Sequence, residues 1–158
     1  MNDVTARPNS LPWPPIIFLA AIAVGILLGA FYPLPWFGQP LSGILSAIGW
    51  LMIAAFAGLN VSAIRAMRRA GTTVRPDRGT DHLVMEGPFS FTRNPLYLAG
   101  TTLVLGIGLV SGIGWFLLLA VPAAFAVQKL AIEREERHLR ARFGKTYVDY
   151  AERVRRWI

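Results

Sequence analysis

Two long blocks without any charged side chain constrain this chain more than any other feature. No Asp, Glu, Lys, Arg or His occurs between Pro8 and Ile64, and none occurs between Asn94 and Gln128. Each block exceeds the roughly 20 apolar residues that span a bilayer, so each is long enough for two passes. The sequence therefore predicts an all-α membrane protein with about four transmembrane helices.

Helix-breaking residues divide each block into two arms. The segment from Tyr32 to Pro40 holds three prolines and a glycine, and the second block is interrupted by Ser111-Gly112-Ile113-Gly114. A further amphipathic helix follows the second block, because apolar residues recur there at spacings of three or four. The predicted helices are about 14–31, 41–66, 95–110, 115–142 and 145–157. The third is short for a full span, so tilt or local thinning of the bilayer is expected.

Composition supports a membrane protein and removes several kinds of chemistry. The mean hydropathy is +0.45, and the first apolar segment lacks the basic run and cleavage pattern of a signal peptide, so we interpret it as a retained helix. The chain has no cysteine and two histidines. This excludes disulfides and a cysteine nucleophile, leaves the redox compartment open, and predicts that no metal is bound.

The positive charge is distributed asymmetrically. The formal net charge is +7, and apart from Arg7 the basic residues follow the two apolar blocks, whereas the connections at 32–40 and 111–114 carry none. The positive-inside rule then places both termini and both polar segments in the cytoplasm. Juxtamembrane arginines of this kind meet anionic lipid headgroups, so the basic pI does not require a nucleic-acid partner.

We expect one domain, residues 14–158, after a mobile amino terminus at residues 1–13. Residues 71–80 are loop-like, and residues 81–86 are a short extended candidate before the Gly87-Pro88 turn.

Two motifs flank the second apolar block and carry a resemblance to a known family. The first is Gly-Pro-(aromatic)-x-x-x-Arg-(His or Asn)-Pro-x-Tyr-x-x-Gly, from Gly87 to Gly100. The second is Glu-Glu-x-x-Leu-x-x-x-Phe-Gly-x-x-Tyr-x-x-Tyr, from Glu135 to Tyr150. In this order around an apolar hairpin they resemble the isoprenylcysteine carboxyl methyltransferase and phospholipid methyltransferase group of membrane enzymes.

The resemblance implies a cofactor and a set of site residues. The cofactor is S-adenosylmethionine, with S-adenosylhomocysteine as product, and the cytoplasmic loop and carboxy-terminal helices would cap its site. Glu135 and Arg153 match active-centre residues of the family's carboxyl methyltransferases. The residues that would bind the cofactor are His82, Leu83, Val84, Gly87, Arg93, Asn94, Tyr97, Leu98 and Glu136.

Each of these residues also has an ordinary structural interpretation. Arg93 offers a fork of donors for a carboxylate, but an arginine at a helix start also serves as a membrane anchor. Asn94 replaces the histidine of many relatives and keeps a hydrogen-bonding side chain without a titratable group. His82 is a single histidine beside an aspartate in a loop, and such a residue is more often a surface or hydrogen-bonded histidine than a ligand.

Glu135 and Glu136 flank the apolar stripe of the carboxy-terminal helical segment. At least one of these acids therefore needs a buried partner. Arg93, Arg140 and Arg153 are the candidates for that partner. If the chain turns at Gly144, then Glu135, Tyr147 and Arg153 converge; otherwise the acids form a solvated charge run.

The predicted function is S-adenosylmethionine-dependent methyl transfer to a small lipophilic acceptor at the cytoplasmic membrane interface. Carboxylate, amine and thiol acceptors all stay open, and Glu135 is needed as a base only for the last two. The alternatives are an inactive family member that acts as a membrane sensor or assembly factor, and a lipid-binding scaffold. The sequence leaves the oligomeric state open.

Overall fold

The computed structural model describes residues 12–71 and 82–158, and throughout these ranges the regular structure is helical. The predicted mobile terminus and the predicted loop at 71–80 therefore lie largely outside the described residues. Residues 83–85, predicted as extended, have no regular structure. The elements are α1 (Trp13–Phe31), α2 (Leu41–Arg69), a 3₁₀ helix (Gly87–Ser90), α3 (Pro95–Ser111), α4 (Trp115–Val127), a π-turn (Gln128–Ile132), α5 (Glu133–Phe143) and α6 (Lys145–Arg153).

Three described helices are long and apolar enough to cross a membrane. They are Trp13–Phe31, Leu41–Arg69 and the continuous run Trp115–Phe143. The fourth apolar helix, α3, has 17 residues and rises about 25 Å, somewhat less than the ~30 Å hydrocarbon core. The all-α membrane class is thus confirmed, whereas four complete passes stay a prediction.

The surface of these helices suits lipid. Large apolar side chains are widely exposed along them, including Leu19 at 65%, Leu51 at 71% and Val121 at 72%. Contiguous apolar surface of this kind is rare on soluble monomers and marks a membrane or protein contact. Together with the span lengths, it identifies an integral membrane protein.

Proline and glycine set the helix ends. α1 begins with prolines in its first turn, where no intrahelical N–H is needed, and Tyr32 closes it by donating its N–H to Leu28 O. Gly112 adopts φ +72°, the left-handed conformation that favours glycine, and so closes the α3–α4 hairpin. The indole N–H of Trp115 donates to Tyr32 O at 2.6 Å. This bond joins the α1 end to the start of α4.

Small residues allow the helices to pack closely. A Cβ on Gly49 of α2 would lie 2.8 Å from Gly106 O of α3, so these two backbones are in direct contact. Phe18 of α1 packs against Gly100, and Phe116 of α4 fills the space beside Gly25. These aromatic rings belong to a core that continues down α4 to the π-turn. The packing fixes the hairpin whose base carries both motifs.

The last helix is shorter than predicted. α6 ends at Arg153, and Val154 is extended at φ −116° and ψ 126°, so the predicted end at 157 is wrong. We call residues 154–158 the carboxy-terminal tail. Its backbone carbonyls accept hydrogen bonds from the loop before α3, with Arg93 N–H donating to Arg155 O at 3.0 Å. In a helix that ended at 157 these last carbonyls would have no intrahelical donor, whereas in the extended tail they accept hydrogen bonds from the loop.

Candidate functional site

The carboxy-terminal tail holds the loop before α3 in place. The Arg156 carbonyl accepts two side-chain hydrogen bonds, from Asn94 Nδ2 at 2.9 Å and from Thr92 Oγ1 at 3.3 Å. The indole N–H of Trp157 donates to Gln128 Oε1 at 2.9 Å in the π-turn. Thr92 and Asn94 are buried, and buried polar groups require such partners. The tail thereby fixes the backbone on both sides of Arg93.

A shared carboxylate lies at the centre of the site. Glu136 of α5 accepts two hydrogen bonds from Arg156, from Nε to Oε1 at 3.0 Å and from Nη2 to Oε2 at 2.7 Å. Arg93 Nη1 lies 3.4 Å from the same Glu136 Oε1. The Arg93 and Glu136 side chains are each 14% exposed, and Arg156 is 32% exposed. Two arginines around Glu136 give these three groups a charge of +1, whereas Glu135 lines another part of the same cavity. An anionic group of a ligand would therefore bind at the arginine side.

The neighbouring acid, Glu135, faces a different helix. Tyr97, in the first turn of α3, donates its hydroxyl to Glu135 Oε1 at 2.5 Å. Successive residues on a helix point about 100° apart, which explains why Glu135 and Glu136 contact different partners. The bond holds one carboxylate oxygen in a fixed place and leaves the other without this donor.

Two tyrosines of α6 complete the polar cluster. Arg93 Nη1 donates to the Tyr147 hydroxyl at 3.4 Å, and the Tyr150 hydroxyl donates to Phe89 O at 2.7 Å. Burial raises the pKa of Tyr147 above its ordinary value, and the charge on Glu136 acts in the same direction. Burial likewise raises the pKa of Tyr150. Both phenols therefore keep their protons at neutral pH.

The hydrogen bond to Glu136 raises the pKa of Arg156 above its ordinary value. This side chain therefore stays cationic at any physiological pH.

A small cavity of about 110 Å³ lies beside Arg93, the two acids and the two tyrosines. The Nε atom of Arg93 is buried, and it has no hydrogen-bond partner among the described residues. A buried guanidinium N–H without an acceptor is costly, and it marks a place where a ligand oxygen would fit. The cavity is lined by Met67, Leu83, Val84, Phe89, Arg93, Asn94, Glu135, Glu136, Leu139, Tyr147 and Tyr150.

The structure brings most of the predicted site residues together. Six of them line the cavity, namely Leu83, Val84, Arg93, Asn94, Glu135 and Glu136. Tyr97 reaches it through Glu135. Gly87 lies instead on a neighbouring groove against α2. His82 is exposed and lines neither space, and Leu98 is on α3 away from the lining.

Arg153 does not join the cluster, which corrects the predicted convergence with Glu135 and Tyr147. Its side chain is exposed, and its Nε donates to Asp149 O within α6. Gly144 does turn the chain, at φ +51°, and this turn brings Tyr147 to Arg93. Arg153 follows Tyr147 by six residues and so points away, whereas the extended tail returns Arg156 to Glu136.

Sequence reasoning missed Arg156, Tyr150 and Met67. Arg156 directly precedes Trp157, the last member of the apolar stripe. This position beside the stripe is the signal that could have indicated Arg156 as a site residue. Among the described residues, no three His, Asp or Glu side chains form a group that would hold a metal ion. The absence of a bound metal stays a prediction.

Comparison with known proteins gives one match. The family model described as phospholipid methyltransferase matches residues 44–146, which run from the start of α2 into α6. The match includes Arg93, Tyr97, Glu135 and Glu136, while Arg156 follows it. No curated protein and no solved structure matches the chain.

Proposed function

The chain belongs to the phospholipid methyltransferase family, and from this membership we propose that it transfers a methyl group from S-adenosylmethionine to a small lipophilic acceptor. We place the reaction at the cytoplasmic membrane interface, with both termini in the cytoplasm, because the basic residues flank the same ends of the apolar helices. The observation that carries the proposal is the Arg93–Glu136–Arg156 cluster, which lies at the base of the hairpin with an unsatisfied guanidinium N–H.

The residues present fit the charged end of the cofactor. Its carboxylate would accept from Arg93, whose Nε–H lacks an acceptor among the described residues, and the +1 charge of the cluster favours an anion. Leu83 and Val84 would contact the less polar part, since they are apolar members of the lining. A cavity of about 110 Å³ is below the ~300 Å³ usual for small-molecule sites. Binding therefore requires the irregular wall at 83–86 to open.

The bound cofactor would supply an electrophilic methyl group on a sulfonium. The chain's own contribution is then positioning, since direct displacement needs no covalent intermediate on the protein. Glu135, held by Tyr97, would accept the proton of an amine or thiol acceptor, and it would only position a carboxylate acceptor. We propose Arg156 as the arginine that holds Glu136, in place of the exposed Arg153.

Cofactor binding tests the proposal directly. Calorimetric titration of S-adenosylhomocysteine into the detergent-purified chain should give saturable binding, and Arg93→Gln should weaken it by about 10-fold or more, the effect of removing one charge-assisted contact. Arg137→Gln is the matched control, because Arg137 is exposed on α5 and lines no described cavity. A folded wild-type chain that binds no S-adenosylhomocysteine would refute the proposed function.

Turnover is a second test. Transfer of labelled methyl groups from S-adenosylmethionine to extracted membrane lipids should occur with the wild type. Glu135→Gln separates the acceptor classes, because it should abolish transfer to an amine or thiol but leave much of the transfer to a carboxylate.

A further inference from the structure

A second and larger space lies beside the cavity just described. It is an open groove of about 720 Å³ between the carboxy-terminal half of α2 and the segment 83–87. Leu83 and Val84 separate it from the cavity and line both. No step of the proposed reaction uses its α2 wall, which consists of Gly58, Val61, Ser62, Arg65, Ala66, Arg69 and Ala70.

The α2 wall changes from apolar to basic along the helix. Its members recur at spacings of three and four, so they form one helical face. A Cβ added at Gly58 would meet nothing within 4 Å, so the groove is open there, and Val61 is 46% exposed. Arg65 and Arg69 follow on the same face. An amphipathic groove of this kind matches a molecule with an apolar chain and an anionic head.

The two arginines are available to a ligand. Both are exposed and one turn apart, so their guanidinium groups can reach one anion together. Glu86 lies on the opposite wall. Within the described residues, no ion pair joins it to either arginine.

The position of Arg65 along α2 corresponds to the lipid headgroups. Residues 41–64 are uncharged and rise about 36 Å at 1.5 Å per residue, which exceeds a hydrocarbon core of ~30 Å. Arg65 and Arg69 therefore lie at or just beyond the interface, while Gly58 lies at acyl-chain depth. A water-soluble anion would gain nothing from the apolar half of the groove.

The geometry points to this groove as a binding site for an anionic phospholipid, with the phosphate on Arg65 and Arg69 and an acyl chain along Gly58 and Val61. This site is separate from the proposed cofactor cavity, and it is defined by lipid binding alone. Such a lipid would contact Leu83 and Val84, the two residues that line both spaces.

Titration of phosphatidylglycerol into the detergent-purified full chain, followed by native mass spectrometry, tests the site. Phosphatidylglycerol has no amine, so it reports phosphate binding without serving as an amine acceptor. Each of Arg65→Gln and Arg69→Gln should weaken the first bound lipid by about 5-fold, as expected for one cationic residue near a membrane surface. Arg68→Gln is the matched control, since Arg68 is exposed on the same turn but outside the groove. An equal loss in Arg68→Gln would show unspecific attraction and overturn the proposal.

A steric variant and two competitors complete the test. Gly58→Leu should also weaken lipid binding without lowering the apparent melting temperature, because the position borders open space within a helix. Wild-type affinity in Gly58→Leu would overturn the proposal. Glycerol phosphate should compete poorly, and equal affinity for it would show a soluble phosphate ligand instead. S-adenosylhomocysteine should not displace the lipid; stoichiometric displacement would assign the groove to the cofactor.

Discussion

Replacing Arg156 with glutamine should both loosen the fold and weaken cofactor binding. The change removes two hydrogen bonds to Glu136, at 3.0 and 2.7 Å. Hydrogen bonds to charged groups are worth about 1.5–3 kcal/mol. Because Arg156 is 32% exposed, solvent screening lowers the loss to about 1–2 kcal/mol. A destabilisation of this size lowers the melting temperature of a domain of this length by ~3–6 °C.

The effect on binding comes from charge. Arg93, Glu136 and Arg156 together carry +1, and Arg156→Gln reduces this to zero at the proposed carboxylate position. Two unit charges ~4 Å apart interact by ~4 kcal/mol in an effective dielectric of ~20, and this energy falls inversely with distance. Arg156 does not line the cavity and is 32% exposed, so we expect a smaller loss of ~1.4 kcal/mol. The affinity for S-adenosylhomocysteine should therefore fall by about 10-fold.

Arg155→Gln is the control for this prediction. It makes the same change of charge one residue earlier, where the side chain is exposed and only the backbone carbonyl contacts the loop. Thermal unfolding and calorimetry of both variants in one detergent provide the comparison. Equal losses in Arg155→Gln and Arg156→Gln would refute the assignment, because the effect would then follow overall charge and not the contact with Glu136.

Two other substitutions test the packing and the second acid. Gly49→Ala should cost about 1–3 kcal/mol, since its Cβ would lie 2.8 Å from Gly106 O. Gly58→Ala borders open space within α2 and should leave the unfolding temperature unchanged or raise it slightly. Equal melting temperatures of the two variants would contradict the close contact of α2 with α3. Tyr97→Phe removes only the hydroxyl that donates to Glu135, so methyl transfer should fall several-fold while affinity for S-adenosylhomocysteine changes little; unchanged turnover would remove Tyr97 from the positioning of Glu135.

The membrane helices could be predicted because their signals are local. The lengths of the two blocks without charged residues indicated the spans. The proline-rich segment at 32–40 and Gly112 marked the turns. The proximity of Arg93 to an acid of α5 was also accessible, since two motifs at the base of one hairpin must meet.

The tail could not be predicted in the same way. Val154 and Trp157 continue the apolar stripe of α6, so periodicity extends the helix to 157 and places Arg153 beside the site. The helix ends because donors that are distant in sequence form hydrogen bonds with the carbonyls of the tail. Asn94 Nδ2 and the Arg93 N–H are two of these donors. Helix propensity is a weak local preference that tertiary hydrogen bonds override. The choice of Arg156 over Arg153 depends on that nonlocal contact.

The π-turn explains why Glu135 faces α3. The buried seam of α4 runs through Phe116, Ala120, Ala123 and Val127, and at about 3.6 residues per turn an unbroken α-helix would carry it onto position 134 five turns after Phe116. A π-turn adds about one residue to one turn, so the seam arrives at Glu135 instead, where it meets Tyr97. The same turn presents Gln128 to the tail. One local widening of the helix therefore sets the register of the acids and anchors the segment that delivers Arg156.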